Sequence, residues 1–490
     1  MTTNTQIAII GAGLGGLGAA IQLQQHGFKD FLIYDRNAGV GGVWFENRYP
    51  GCCCDVPIDL YQYSFAPSGK WDYLFPRSAE VRTYAEDLVA NFKLGDRLRL
   101  NSGIVKAEWN DSVKKWHLET DNGEHIVAQI LISALGQLNR PYWAPIDNIG
   151  EFAGSSMHSA RWDDSIALEN QRVGVIGSAA SAVQLIPEVA TKASHLTVFQ
   201  RSPNWLLPRN DMQFLDEQKL LFASDLERAA GIQQLNRQML YENADYFFWQ
   251  AFSYTEAGQA AYTKMALQHL ENQITDQTLR HKLTPNYPVG CKRILFCDDY
   301  YPTLMQSHVE LVDQPIQTGS ATGLTTADGQ TYPLDVIIHA TGFEASQWLW
   351  SMQVAGQQGI TLQERWKNKP EAYLGMTVSG FPNLFMLYGP NTNLGHNSIL
   401  IMLEAQISYI CKALESLKKL DAEALSLKPE VESEFNRNMA QDLKQTIWAS
   451  PACNSWYKNA DGHITQNWSS HTRKYQEACA QLELEHYEWS

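Results

Sequence analysis

The chain opens on a short rhythm of apolar and small residues. Ile7–Ile10 is continuously apolar, as expected of a strand buried on both faces. Leu14, Leu17 and Ile21 then recur at helical spacing, and Phe31–Tyr34 reads as a second buried strand. The same succession returns at Arg172–Ile176, Val183–Ala190 and Leu196–Phe199. Two more apolar runs, Ile130–Leu135 and Val336–Ile338, lead into small residues and are expected to close the two strand–helix–strand units. From 210 to 284 there is no proline, the only glycines are Gly231 and Gly258, and apolar residues fall three and four apart. That stretch predicts a helical insert, and a further helix is expected from about Leu400 to Leu420.

The turns between strand and helix carry the first chemistry. After Ile10 comes Gly11-Ala12-Gly13-Leu14-Gly15-Gly16, and Asp35 ends the next strand, 24 residues after Gly11. In this spacing Gly11 permits a tight turn, Gly13 lets the backbone approach a pyrophosphate, and Gly16 lets the helix pack on the strand. The helix N-terminus attracts phosphate, and Asp35 can accept from a ribose diol. The second unit reads Gly177-Ser178-Ala179-Ala180-Ser181-Ala182, and 24 residues after Gly177 stands Arg201, followed by Ser202. An arginine in place of the acid suits a 2′-phosphate, and Ser202 can add a hydroxyl to it. Ala179 stands where a second glycine is expected. Two such sites imply two nucleotides, paired most naturally as FAD in the first and NADPH in the second. The fold class expected is α/β, with two Rossmann-like dinucleotide-binding domains. The FAD-binding domain is discontinuous, 1–145 and 345–490. The NADPH-binding domain, 146–344, is inserted in it and carries the helical insert 210–289. That insert, lying before Lys292-Arg293, is read as a lid or pocket wall.

Composition narrows the partners. The formal net charge is −15, which argues against nucleic acid or an anionic membrane as the main partner. No apolar run reaches the roughly 18 residues of a membrane span. The eight cysteines form no C-x-x-C pair, so neither a zinc ribbon nor a thioredoxin-type site is supported, and their few, uneven positions fit a reducing cytoplasm. Cys52, Cys53 and Cys54 are contiguous and cannot bridge one another normally. No metal or haem site is expected, and oligomeric state is not legible.

Two longer strings are specific. Gly41-Gly42-Val43-Trp44, four residues, Tyr49-Pro50-Gly51, three cysteines and Asp55 follow the first unit. Phe152-Ala153-Gly154, then His158, then Trp162-Asp163 stand between the units. Both resemble signatures of the Baeyer–Villiger monooxygenases, class B flavin-dependent monooxygenases, and match at every specified position. The Trp162-Asp163 ending separates that family from flavin monooxygenases acting on amines and sulfides. Phe199–Trp205, Cys291-Lys292-Arg293 and Gly389-Pro390-Asn391 are similar to further family blocks. Departures are Ala179, Leu135 in place of threonine, Ile58 in place of serine, and Ser469 in place of proline.

The resemblance implies that FAD and NADPH bind, that O₂ is activated, and that one oxygen atom is inserted beside a ketone carbonyl to give an ester or lactone. It further implies that Arg293 is the active-site arginine and that Asp55 holds it near the flavin. Val43 and Trp44 would be cofactor-binding, Tyr61 would lie along the flavin, Lys292 would join Arg201 on the 2′-phosphate, and His158 and Trp162 would belong to an interdomain linker. The reaction develops negative charge on oxygen, and a guanidinium stays charged at any working pH. Three alternatives stay open on residues alone: a heteroatom monooxygenase, a pyridine-nucleotide disulfide oxidoreductase using the cysteine run, and a non-catalytic redox sensor.

Overall fold

Ile7–Ile10 are the buried inner end of a nine-residue strand, and two sheets are built around the two apolar rhythms. The computed structural model describes residues 2–490 except 225, 254, 350 and 368, with the backbone alone for 221–230. The first sheet contains β1 (Thr2–Ile10), β2 (Phe31–Tyr34), β3 (Leu98–Arg99), β4 (Ile104–Asn110), β5 (Lys115–Thr120) and β6 (His125–Ser133). Gln353–Ala355 and Leu384–Met386 return to it from far along the chain, pairing with β4 and β6. Its centre is parallel, with Ile7 opposite Ile130 on one side and Phe31 on the other. That double burial explains why these strands are apolar throughout rather than alternating. Helix α1 (Leu14–Gln25) covers one face and packs against the long helix Ile399–Lys419.

The second sheet orders Val309–Val312, β9 (His195–Phe199), β8 (Arg172–Ile176), Val336–His339 and β7 (Ser155–His158), all parallel. The helix Ala180–Ala190 connects β8 to β9 and buries Ala182, Val183, Leu185, Ile186 and Val189 against the sheet. Segment 210–289 is helical over Asp216–Ser224, Leu226–Glu242, Glu256–Gln273 and Gln277–Leu283. Asn243–Phe247 is a π turn, a local widening of the helix that is frequent at functional sites. On it, the buried Asp245 accepts from Asn397 Nδ2 at 3.0 Å, from the Thr472 amide at 3.2 Å and from the Arg473 amide at 3.0 Å. Burial opposes its charge, but the donors His396, Thr472 and Asn397 outweigh burial and hold its pKa below the usual carboxylate range. One carboxylate therefore ties the insert to the loop before Ile399 and to the start of the helix Thr472–Cys479. No helix among the described residues is long and apolar enough to cross a membrane.

The string Phe152–Asp163 contains regular structure. Its middle forms β7, an edge strand of the second sheet registered to Val336–His339. His158 and His339 are opposite one another there, both buried, with Trp143 packed on each ring at 5.3 and 4.9 Å. Burial lowers both imidazoles to about 4, and His158 adds to the effect on His339. A base whose folded pKa is depressed contributes stability above its unfolded pKa of about 6.5 that is lost as pH falls toward 4. Each histidine is thus expected to cost about 2 kcal/mol at pH 5. Thermal unfolding followed at pH 7.5 and pH 5 checks this. The wild type should lose several degrees, and His339→Gln should lose about half as much; equal losses would remove His339 from the account.

Candidate active site

The first phosphate turn is shaped by contacts that exclude side chains. Gly11 has φ +111°, and a Cβ there would stand 2.5 Å from the Ala134 carbonyl. Gly16 packs the helix onto the turn, since its Cβ would meet the Gly11 carbonyl at 1.9 Å. Gly13 starts α1 with no side-chain cap and no acid in the first turn, so the free amides and the positive end of the helix face outward. Asp35 accepts from the Ala12 amide at 2.6 Å and the Asn37 amide at 2.8 Å. Burial nevertheless raises its pKa above the usual carboxylate value, outweighing these two donors.

From this turn runs a cavity of about 500 Å³. Gly11, Gly13 and Asp35 line it with Val43, Trp44, Tyr61, Asp55 and Arg293. Trp44 Nε1 donates to the Tyr61 hydroxyl at 3.0 Å, fixing both rings. Arg293 Nη2 donates to Asp55 Oδ1 at 2.7 Å across 238 residues of sequence. The Arg293 side chain is 39 % exposed, and it lines the cavity. Burial works against its charge, but Asp55, then Tyr457, Tyr388 and Cys54, raise its pKa, so the cation is secure. Cys52, Cys53 and Cys54 are buried and free, so the run holds no redox disulfide.

The second turn repeats the first with changed chemistry. Gly177 has φ +117°, and a Cβ there would stand 2.4 Å from the Ala340 carbonyl. Ala179 caps the helix at φ −92°, a conformation any residue adopts, and its methyl is exposed. Ser181 lines the same cavity as Arg293, whereas Gly177, Ser178, Arg201, Ser202 and Lys292 lie outside it. Ser178 Oγ donates to the Ser202 carbonyl at 3.2 Å, and Lys292 Nζ donates to Ser202 Oγ at 2.8 Å while lying over the Tyr287 ring at 4.4 Å. Burial, then the charge of Arg201, lower the Lys292 pKa. Among the described residues neither Arg201 nor Lys292 pairs with a carboxylate. Two neighbouring cations without an anion suit a phosphate. Gly16 and Ala182 are not brought to the cavity. The Ala182 methyl is fully buried in the core of the second sheet.

Sequence reasoning missed several residues here. Tyr388 and Tyr457 stand beside Arg293, and Tyr388 donates to Asn393 Oδ1 at 2.6 Å. The G-P-N block after Tyr388 was a signal that could have drawn attention to it. Cys291, next to Lys292, is joined by a disulfide to Cys453, with Cα atoms 5.3 Å apart; cysteine spacing gave no hint of that pairing.

The geometry agrees with what the chain is similar to. Residues 9–74 match a family profile described as an NAD(P)-binding Rossmann-like domain. A Baeyer–Villiger monooxygenase of Pseudomonas aeruginosa is 36% identical over 485 residues, covering 98% of this chain and 91% of that protein. An FAD-binding monooxygenase, ktnD, of Aspergillus niger is 38% identical over 496 residues, covering 98% and 81%. The crystal structure of cyclohexanone monooxygenase from Rhodococcus sp. Phi1 bound to NADP⁺ superposes with a TM-score of 0.88 at 25% identity, covering 100% of both chains. With relatives of this identity spanning nearly the whole chain, the protein belongs to the Baeyer–Villiger monooxygenase family.

Proposed function

We propose that the chain is an FAD- and NADPH-dependent Baeyer–Villiger monooxygenase that inserts one oxygen atom of O₂ beside a ketone carbonyl, giving an ester or lactone. The observation that carries this reading is the Asp55–Arg293 pair, 2.7 Å apart, on a cavity that begins at the first phosphate turn. Similarity to an FAD-binding monooxygenase and to an NADP⁺-bound ketone oxygenase supports the two cofactors.

The residues fit both groups. The uncapped start of α1 and Asp35 would hold the pyrophosphate and ribose of FAD, with Trp44 and Tyr61 along its body. Arg201, Ser202 and Lys292 would hold the 2′-phosphate of NADPH. When bound, these cofactors supply hydride and the reduction of O₂. The chain's own work is electrostatic. Arg293 presents a fixed cation where negative charge develops on oxygen, first on the attacking group and then on the former carbonyl. Asp55 orients its fork and limits the excess positive charge. The Trp44–Tyr61 wall and the apolar lining at Leu387, Leu394 and Leu400 exclude water, which would divert the oxidant. The same reading divides the chain into an FAD-binding part, 1–145 and 345–490, and an NADPH-binding part, 146–344, with segment 210–289 as a pocket wall.

The test is a single assay. NADPH oxidation under O₂ is measured with a panel of ketones, a sulfide and a disulfide, and products are identified by mass. An ester or lactone 16 mass units above its ketone is expected. Sulfoxide alone would support a heteroatom oxygenase instead, and disulfide reduction without O₂ consumption would sink both.

A further inference from the structure

The three-cysteine run has no part in the chemistry above, yet its middle residue is a junction. Gln184, on the helix Ala180–Ala190, reaches across to it. Its Oε1 accepts from the Cys53 amide at 3.3 Å and from the Tyr49 hydroxyl at 2.9 Å, and its Nε2 donates to the Cys53 carbonyl at 3.0 Å. One side-chain amide therefore satisfies both backbone groups of Cys53, as a neighbouring strand would. On its other side Cys53 forms a bridge with Arg77, and its sulfur accepts from Arg209 Nη1 at 2.7 Å. The loop is pressed onto the helix: a Cβ on Gly51 would stand 2.4 Å from the Gln184 carbonyl.

The two ends of this contact lead to different groups along one cavity. Gln184 is three residues from Ser181, so both lie on one face of the helix, and both line the cavity with Ala180 at the helix start. Cys53 is two residues from Asp55, the partner of Arg293. We propose that Gln184 is a positioning residue that couples nucleotide binding at the second phosphate turn to the placement of the Asp55–Arg293 pair. A helix that settles on a phosphate at its first turn carries Gln184 with it. Three hydrogen bonds to Tyr49 and Cys53 pass that displacement to the loop that ends at Asp55. The inference rests on the reading of the second turn as a nucleotide site. A residue that merely pinned helix to loop would hold the loop equally with and without nucleotide.

Hydrogen exchange of the FAD-loaded enzyme, read by mass spectrometry over residues 49–56 with and without NADP⁺, separates the two. In the wild type NADP⁺ is expected to slow exchange of this segment about tenfold. In Gln184→Ala that dependence is expected to vanish at NADP⁺ concentrations shown to saturate by flavin absorbance. Gln184→Glu keeps the acceptor but loses the donor to the Cys53 carbonyl, and should give an intermediate response. Tyr49→Phe removes only one bond and should keep most of the dependence, which covers the case in which Gln184→Ala does not retain FAD. Persistence of NADP⁺-dependent slowing in Gln184→Ala and Gln184→Glu overturns the coupling, as does a wild type that binds NADP⁺ without slowing. A wild type that binds no NADP⁺ overturns the reading of the second turn, and the coupling with it. Failure to oxygenate any ketone leaves this readout intact.

Discussion

Arg293→Ala is expected to lower the rate of ester formation by a factor on the order of 10²–10³, the loss seen when a preorganised donor is taken from a developing oxyanion. The cation is fixed before reaction by Asp55 at 2.7 Å, so it needs no reorganisation as charge develops. Arg293→Lys keeps the charge but loses the planar fork that meets the carboxylate, and should recover only part of the rate. Asp55→Asn removes the largest influence raising the Arg293 pKa and the anion that aims it, with a loss of about tenfold expected. The measurement is ester formed per NADPH consumed, with hydrogen peroxide release and stopped-flow flavin reduction followed alongside. Flavin reduction should fall far less than ester formation, and peroxide should rise. Ester formation within threefold of wild type in Arg293→Ala would remove this residue from the chemistry.

The second large effect concerns the choice of nicotinamide. Arg201 and Lys292 are neighbouring cations, and Lys292 is held on Ser202 Oγ at 2.8 Å. Each charge-assisted bond to a phosphate contributes roughly 1.5–3 kcal/mol, or about tenfold to a hundredfold in affinity. The double variant Arg201→Ala, Lys292→Ala is expected to raise the KM for NADPH by a factor on the order of 10² while that for NADH changes little. Steady-state kinetics with both nucleotides decide it. An equal rise for the two would mean that the pair shapes the turn rather than reading the 2′-phosphate.

How much of this was legible in the sequence depended on what kind of contact was involved. The glycine turns, the strands Ile7–Ile10 and Arg172–Ile176 and the helices of segment 210–289 were legible because local sterics and periodicity write them into neighbouring residues. Asp55 and Arg293 were legible only through resemblance, because no local rule joins residues 238 apart. Gln184 was not legible, since two of its three bonds go to backbone atoms, which carry no sequence label. Asp245 reads as one more acid in a polar stretch, and only the returning chain at Asn397 and Thr472 shows it buried. The strand Ser155–His158 was hidden in a motif whose specified positions lie mostly outside it.

The return of Leu384–Met386 to β6 bears on how the protein is made. The second sheet has all its strands once Val336–His339 has left the ribosome, so it can close while the rest is still being synthesised. The first sheet begins at Thr2 but stays open at the end of β6, Leu131–Ser133, for some fifty residues more, until Leu384 pairs with Leu131. During that interval β6 is already paired with β1 along its length and with β5 over His125–Ala128, and only Leu131–Ser133 still await a neighbour on one side, a short stretch on which nascent chains can associate wrongly. The unit translated first is thus the unit completed last, and slow elongation between residues 340 and 386 would prolong the exposure of those three positions.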